Sequence, residues 1–176
     1  PGTEQDISCD TLLLSCGLIP ENELTRGAGI PLDRVTGGAV VNGDRETGVP
    51  GIFACGNVLH VHDLVDYVSM EAALAGEAAV RYLRGENHRT APRHLHTDGK
   101  VRYTVPEVID GETETQVFFR VSDVFRDKRI VVRAGEDVLI RKKKPRLAPG
   151  EMETVTLTEE MLRRTAGEDI FFSVED

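Results

Sequence analysis

The sequence predicts two units of different class, an α/β half followed by a small all-β sandwich or barrel. Three observations predict this. Residues 1–92 hold 12 of the 17 glycines, and their short apolar runs stop at glycine before one long stretch of helical periodicity. Residues 93–176 hold the other 5 glycines and switch to two-residue alternation in several short segments. The charge changes at the same place. The first part has 6 basic and 13 acidic residues, the second 15 and 17, and every lysine lies at Lys100 or beyond. The polar join around Glu86-Asn87-His88-Arg89-Thr90-Ala91-Pro92-Arg93 reads as a connection. The expected division is 1–86, a connection over 87–98, and 99–176.

Residues 11–16, Thr-Leu-Leu-Leu-Ser-Cys, form an apolar run ended by Gly17 and read as a buried strand. Residues 20–38 are rich in glycine, proline and charge and read as loop. Residues 39–42 suggest a short strand. Residues 52–55, Ile-Phe-Ala-Cys, suggest another buried one, between Pro50-Gly51 and Gly56. A helix is predicted over residues 64–83. Leu64, Val68, Ala72, Ala75 and Ala79 make its apolar stripe, with Asp63 as N-cap and Gly85 as stop. In the second half, residues 117–122, 129–133, 138–140, 153–157 and 169–174 read as strands separated by turn signals such as Asp110-Gly111 and Pro149-Gly150. Thr158 is expected to cap one helical turn.

Composition narrows the function. The net charge of 21 − 30 = −9 argues against general nucleic-acid binding. No apolar run is long enough for a membrane span, and no signal peptide opens the chain. Three cysteines, Cys9, Cys16 and Cys55, all in the first half, argue against a disulfide framework and for a reducing, cytoplasmic setting. The chain opens on Pro1 rather than Met, so it is expected to be cut from a longer protein or processed.

The chemistry-bearing stretch is Thr47-Gly48-Val49-Pro50-Gly51-Ile52-Phe53-Ala54-Cys55-Gly56-Asn57-Val58. A strand end, a glycine, a polar residue and a helix start provide close backbone approach and free N–H groups, where open α/β sheets hold cofactors. This stretch resembles the second flavin-binding motif of the pyridine nucleotide–disulfide oxidoreductase superfamily. Upstream, Cys9-Asp10-Thr11-Leu12-Leu13-Leu14-Ser15-Cys16-Gly17-Leu18-Ile19-Pro20-Glu21-Asn22 resembles that superfamily's segment leaving the NAD(P) domain. The run Gly56-Asn57-Val58-Leu59-His60-Val61-His62-Asp63-Leu64-Val65-Asp66-Tyr67 is similar to the subgroup associated with glycerol-3-phosphate dehydrogenase systems.

The resemblance implies a Rossmann-like FAD/NAD(P)-binding fold for the first half and a parent enzyme passing hydride between a nicotinamide and an acceptor through FAD. It implies FAD contacts at Gly56, Asn57, Val58, Leu64 and Val65, with the helix start facing the pyrimidine end of the flavin. Asn57 stands where the family has Asp, and its carbonyl can also accept a hydrogen bond from the ribityl chain. No G-x-G-x-x-G and no C-x-x-C occurs, so the NAD(P) site and both pyrophosphate loops are expected upstream of Pro1, and the chain alone is expected to be inactive. A non-catalytic module docking a dehydrogenase partner subunit is the alternative, and oligomerisation through exposed sheet edges is a risk.

His60 and His62 are the catalytic candidates, as flavin-edge or proton-relay groups. Two histidines at i, i+2 without a third ligand do not make a metal site, and none is expected. Asp63 and Asp66 read as cap and dipole partner. The cysteines read as small apolar residues. His88, His94 and His96 read as part of a solvated connection, and the run Arg141-Lys142-Lys143-Lys144-Pro145-Arg146 as an edge strand protected by charge.

Overall fold

The structure is a computed structural model describing residues 2–15, 17–86 and 89–176. The first half holds a short helix α1 (Glu23–Gly27), a single 3-10 turn over Gly56–Val58, and the long helix α2 (Val65–Arg84). Helix α2 ends as expected, with Gly85 in the left-handed region at φ 71° and its amide and that of Glu86 closing on Tyr82 and Arg81 carbonyls. Its start differs by one residue. The N-cap is Leu64, which has no capping side chain, because the Asp63 carboxylate is drawn away by Arg120 and by the Met152 amide at 2.6 Å.

The three strands expected here do not form. Residues 11–15 carry no regular structure, and Leu12, Leu13 and Leu14 are 73%, 89% and 76% exposed; Cys16 lies outside the described residues. A strand needs a laddered neighbour, and no described segment pairs with this one. In place of strands at 39–42 and 52–55 there are single bridges, Leu32 with Ala39, Val41 with Thr47 and Glu46 with Phe53. Turns interrupt the chain too often for longer ladders: Asp33 Oδ1 accepts from the Val35 and Thr36 amides, and Asn42 Oδ1 from those of Asp44 and Glu46.

The second half contains β1 (Arg93–Thr97), β2 (Val101–Val105), β3 (Val108–Ile109), β4 (Thr115–Val121), β5 (Phe125–Ala134), β6 (Asp137–Leu147), β7 (Glu153–Leu157), helix α3 (Glu159–Arg164) and β8 (Ile170–Glu175). They form a five-stranded sheet ordered β3-β1-β8-β5-β6 and a three-stranded sheet ordered β2-β4-β7. Pairing is antiparallel except between β1 and β8. Thr158 caps α3, its hydroxyl accepting from the Met161 amide at 3.3 Å. Val101, Val117, Phe119, Ile130 and Phe172, from strands of both sheets, share one core with Leu162 of α3. The chain is thus mixed α/β, with most of its regular structure in two sheets.

Strand β1 falls inside the segment read as a connection. Its inward Arg93 is 3% exposed and donates to the carbonyls of Leu162, Thr165 and Gly111, tying β1 to the end of α3. The basic run lies on β6, the last strand of its sheet, where a proline is tolerated and charge discourages further pairing. Ile30, Ala39, Val41 and Leu59 of the first half bury against Val105 of β2 in a second, smaller cluster.

Candidate functional site

The two sequence motifs meet at the 3-10 turn. Asn22, 1% exposed, donates through Nδ2 to the carbonyls of Val58 at 2.8 Å and Gly37 at 2.9 Å. The end of the upstream motif therefore holds the end of the downstream one. Gly38 lies against the same turn so closely that a Cβ there would sit 1.8 Å from the Leu59 carbonyl oxygen. Gly56 opens the turn at φ 72°, a conformation only glycine adopts without strain.

Leu64 and Val65, at the start of α2, are 54% and 75% exposed. Among the described residues nothing accepts from the Val65 and Asp66 amides, so the positive end of the α2 dipole faces outward beside the turn. A groove lined by Glu21, Leu24, Phe53, Cys55 and Val58 opens on the turn's other flank. Asn57 Oδ1 accepts from the His62 amide at 3.1 Å, which leaves the Nδ2 amide as its available donor.

His60 and His62 point inward beneath the turn and are 1% and 8% exposed. They surround Glu71 of α2, a residue the sequence reading passed over. Glu71 Oε2 accepts from the Gly56 amide at 2.6 Å and faces His62 Nε2 at 3.0 Å. Its Oε1 accepts from Arg45 Nε at 2.8 Å and faces His60 Nε2 at 3.5 Å, too long for a good hydrogen bond. Arg45, wholly buried and at φ 63°, crosses to the second half, donating to the Gln116 carbonyl of β4 at 3.2 Å and lying 5.9 Å from the centre of the Phe118 ring. Burial alone would raise the Glu71 carboxyl, but the histidines and Arg45 outweigh it and hold Glu71 below the usual carboxylate range, ionised. Burial drives His60 the other way and keeps it neutral.

The signal that could have found this cluster is spacing. Glu71 lies on α2 one residue before the alanine face, where a carboxylate inside an Ala-rich buried stripe asks for partners. Arg45 carried no comparable signal. Cys55 is partly buried beside this cluster; burial and then the Glu71 charge raise its thiol, while Cys9 is exposed. His94 and His96 lie on β1, His96 meeting Asp169 at 2.8 Å and stacking on Phe171; His88 lies outside the described residues.

Against known proteins, residues 1–91 match the family model described as pyridine nucleotide-disulphide oxidoreductase. A ferredoxin--NADP reductase of Leuconostoc mesenteroides subsp. mesenteroides is 30% identical over 103 residues, covering 54% of this chain and 30% of that protein. The chain thus spans less than a third of the length of the curated relative it matches. No solved structure matches it. No helix among the described residues is long and apolar enough to cross a membrane. The match runs over more than half of the chain and takes in both motifs that meet at the Gly56 turn, so the chain belongs to the pyridine nucleotide-disulphide oxidoreductase family.

Proposed function

We propose that this chain supplies the C-terminal part of the FAD domain of an FAD-dependent NAD(P) oxidoreductase, with residues 93–176, from β1 onward, as an appended sandwich-like β domain. The observation that carries this is the outward-facing, uncapped start of α2 beside the Gly56–Asn57 turn. Free amides and a positive dipole end there suit the electron-rich pyrimidine edge of a flavin. Gly56, Asn57 and Val58 would hold the ribityl side, and Leu64 and Val65 the ring. Asn57 would act there as a donor through Nδ2. When bound, FAD supplies the hydride chemistry, and this chain supplies orientation and charge.

His60 and His62, buried behind the turn, act in this reading as supports rather than as groups touching the flavin. NAD(P) would bind in a part of the enzyme preceding these residues. The run from Gly56 to Tyr67 supports a place among flavoproteins of glycerol-3-phosphate dehydrogenase systems, and the free thiol of Cys9 suits a cytoplasmic setting.

The test is FAD binding by a protein carrying this chain behind the family's upstream domains. The expected result is a bound yellow cofactor whose affinity falls at least tenfold in Asn57→Leu and in Val65→Pro, which removes an α2 amide. Unchanged affinity in both would overturn the assignment. A partner-docking module is the second reading. It is favoured by the edge strand β6 and its basic run, and would be supported by partner capture that needs residues 93–176 and not flavin.

A further inference from the structure

We propose that His60, His62 and Glu71 form a zinc-type metal site beneath the turn, pinning the segment before α2 to the helix itself. One ligand atom from each residue lies within 4.8 Å of the others, and all three residues are buried. The contacts from each histidine Nε2 to the nearer carboxylate oxygen are 3.0 and 3.5 Å. A tetrahedral ion with bonds of about 2.0–2.1 Å separates its ligand atoms by about 3.3 Å, so the two rings and one carboxylate oxygen reach it by a small closure of the cluster, the two contacts now running to different oxygens.

The second observation is the state of the rings. His60 Nδ1, His60 Nε2 and His62 Nδ1 are buried with no hydrogen-bond partner among the described residues. A wholly buried imidazole with neither nitrogen partnered carries an uncompensated desolvation cost, and an ion at Nε2 removes half of it.

Glu71 is oriented as a ligating carboxylate usually is, by outer donors: Arg45 Nε on Oε1 and the Gly56 amide on Oε2. Each oxygen keeps a second lone pair, and the nearest histidine nitrogen lies 3.5 Å from Oε1 and 3.0 Å from Oε2. Tyr67, Tyr103 and Phe118 pack around the two rings with ring centres 5.2 to 6.3 Å away. Two imidazoles and one carboxylate suit zinc. Two features weaken the site. Arg45 adds positive charge, and the Nδ1 positions lack the acceptors whose loss typically costs about 10–100-fold in affinity. The site is therefore expected to bind at least about tenfold more weakly than one whose Nδ1 positions are hydrogen-bonded.

Cobalt(II) titration of the 176-residue protein, with zinc competition, tests this. The expected result is about one Co²⁺ per chain with the intense visible absorption of tetrahedral coordination, displaced by Zn²⁺, and a rise in Tm with Zn²⁺. His60→Phe, which keeps an aromatic ring in the space, is expected to lose both signals, while the β1 double variant His94→Gln/His96→Gln keeps them. Only weak octahedral bands in the unaltered protein, or binding that survives His60→Phe and disappears in the β1 variant, would overturn the proposal. The spectrum of the unaltered protein decides even where His60→Phe does not fold.

Discussion

Glu107, between β2 and β3, makes a stability prediction that can be worked through. Its Oε2 accepts from the Val41 amide at 3.0 Å, and its Oε1 is buried with no partner among the described residues. Burial raises its carboxyl from 4.5 to about 7; the negative charge of Asp33 adds to this, and the Val41 amide and Arg45 offset only part. The folded chain therefore holds this proton more tightly than the unfolded chain. The associated stability is complete below about pH 4.5 and is lost as pH rises through about 7. A shift of 7 − 4.5 = 2.5 units at 1.36 kcal/mol per unit gives about 3 kcal/mol. His60 acts with the opposite sign: its folded pKa is depressed, so stability falls as pH drops below the ordinary histidine value. The profile of the unaltered protein mixes the two effects, and the difference from Glu107→Gln separates them. Urea unfolding at intervals from pH 5 to 8.5 is the assay. Stability of Glu107→Gln relative to the parent is expected to climb by about 2.5 kcal/mol across that range, the rest of the effect lying below pH 5. A difference that stays flat, or falls with pH, would refute the reasoning.

Arg45→Leu is expected to cost about 3–5 kcal/mol by denaturant unfolding, because it leaves the buried Glu71 charge without its cation. Gly38→Ala is expected to lose about 3 kcal/mol, the added carbon having no room against the backbone of Leu59. Leu13→Ala, at an 89% exposed residue, is expected to change stability by less than about 0.5 kcal/mol. In timed alkylation near neutral pH followed by peptide mass analysis, Cys9 is expected to react well before Cys55, whose thiol is partly buried and raised by burial and the Glu71 charge.

Periodicity made most of the regular structure legible. Strands β4, β5, β7 and β8 each overlap a predicted segment, because their apolar positions face one core. Helix α2 also forms where its periodicity predicts it, but of the predicted stripe only Ala75 is buried, while Leu64 and Ala72 are exposed. Strand β6 was underread: only Val138, Leu139 and Ile140 look like strand, and the rest is a charged edge whose backbone pairs with β5. Strand β1 was missed because its inward positions are Arg93 and Leu95, so half of its buried face is ionic. Residues 11–16 misled in the other direction. An apolar run predicts burial only where something covers it, and local pattern does not report whether a neighbour is at hand. At the candidate site, the sequence singled out the residues of the turn, the two histidines and the helix start, but gave no sign that the histidines are buried. It did not find Glu71 and Arg45, because the contacts that define them cross 26 residues between the two and 71 between Arg45 and Gln116.

Those long contacts bear on how the two halves work together. Arg45 runs from the first half to the backbone of β4, and Arg120 runs back from β4 to the Val61 carbonyl and the Asp63 carboxylate. Phe118, between them on β4, is wholly buried against His60, His62 and Tyr67. The β half thus forms one wall of the chamber whose carboxylate holds the Gly56 amide. A change in β4 is therefore expected to reach the turn and the start of α2 through the buried Arg45–Glu71 pair and through the partly exposed Arg120–Asp63 pair. Phe118→Ala is expected to cost about 3–5 kcal/mol as a cavity. In the flavin reading it should also shift cofactor affinity, although residue 118 lies in a half that touches no flavin. Unfolding of the two halves in one transition, abolished together by this substitution, would follow from a shared chamber. Two separate transitions, with the first half unmoved by Phe118→Ala, would show that the crossing contacts carry no coupling.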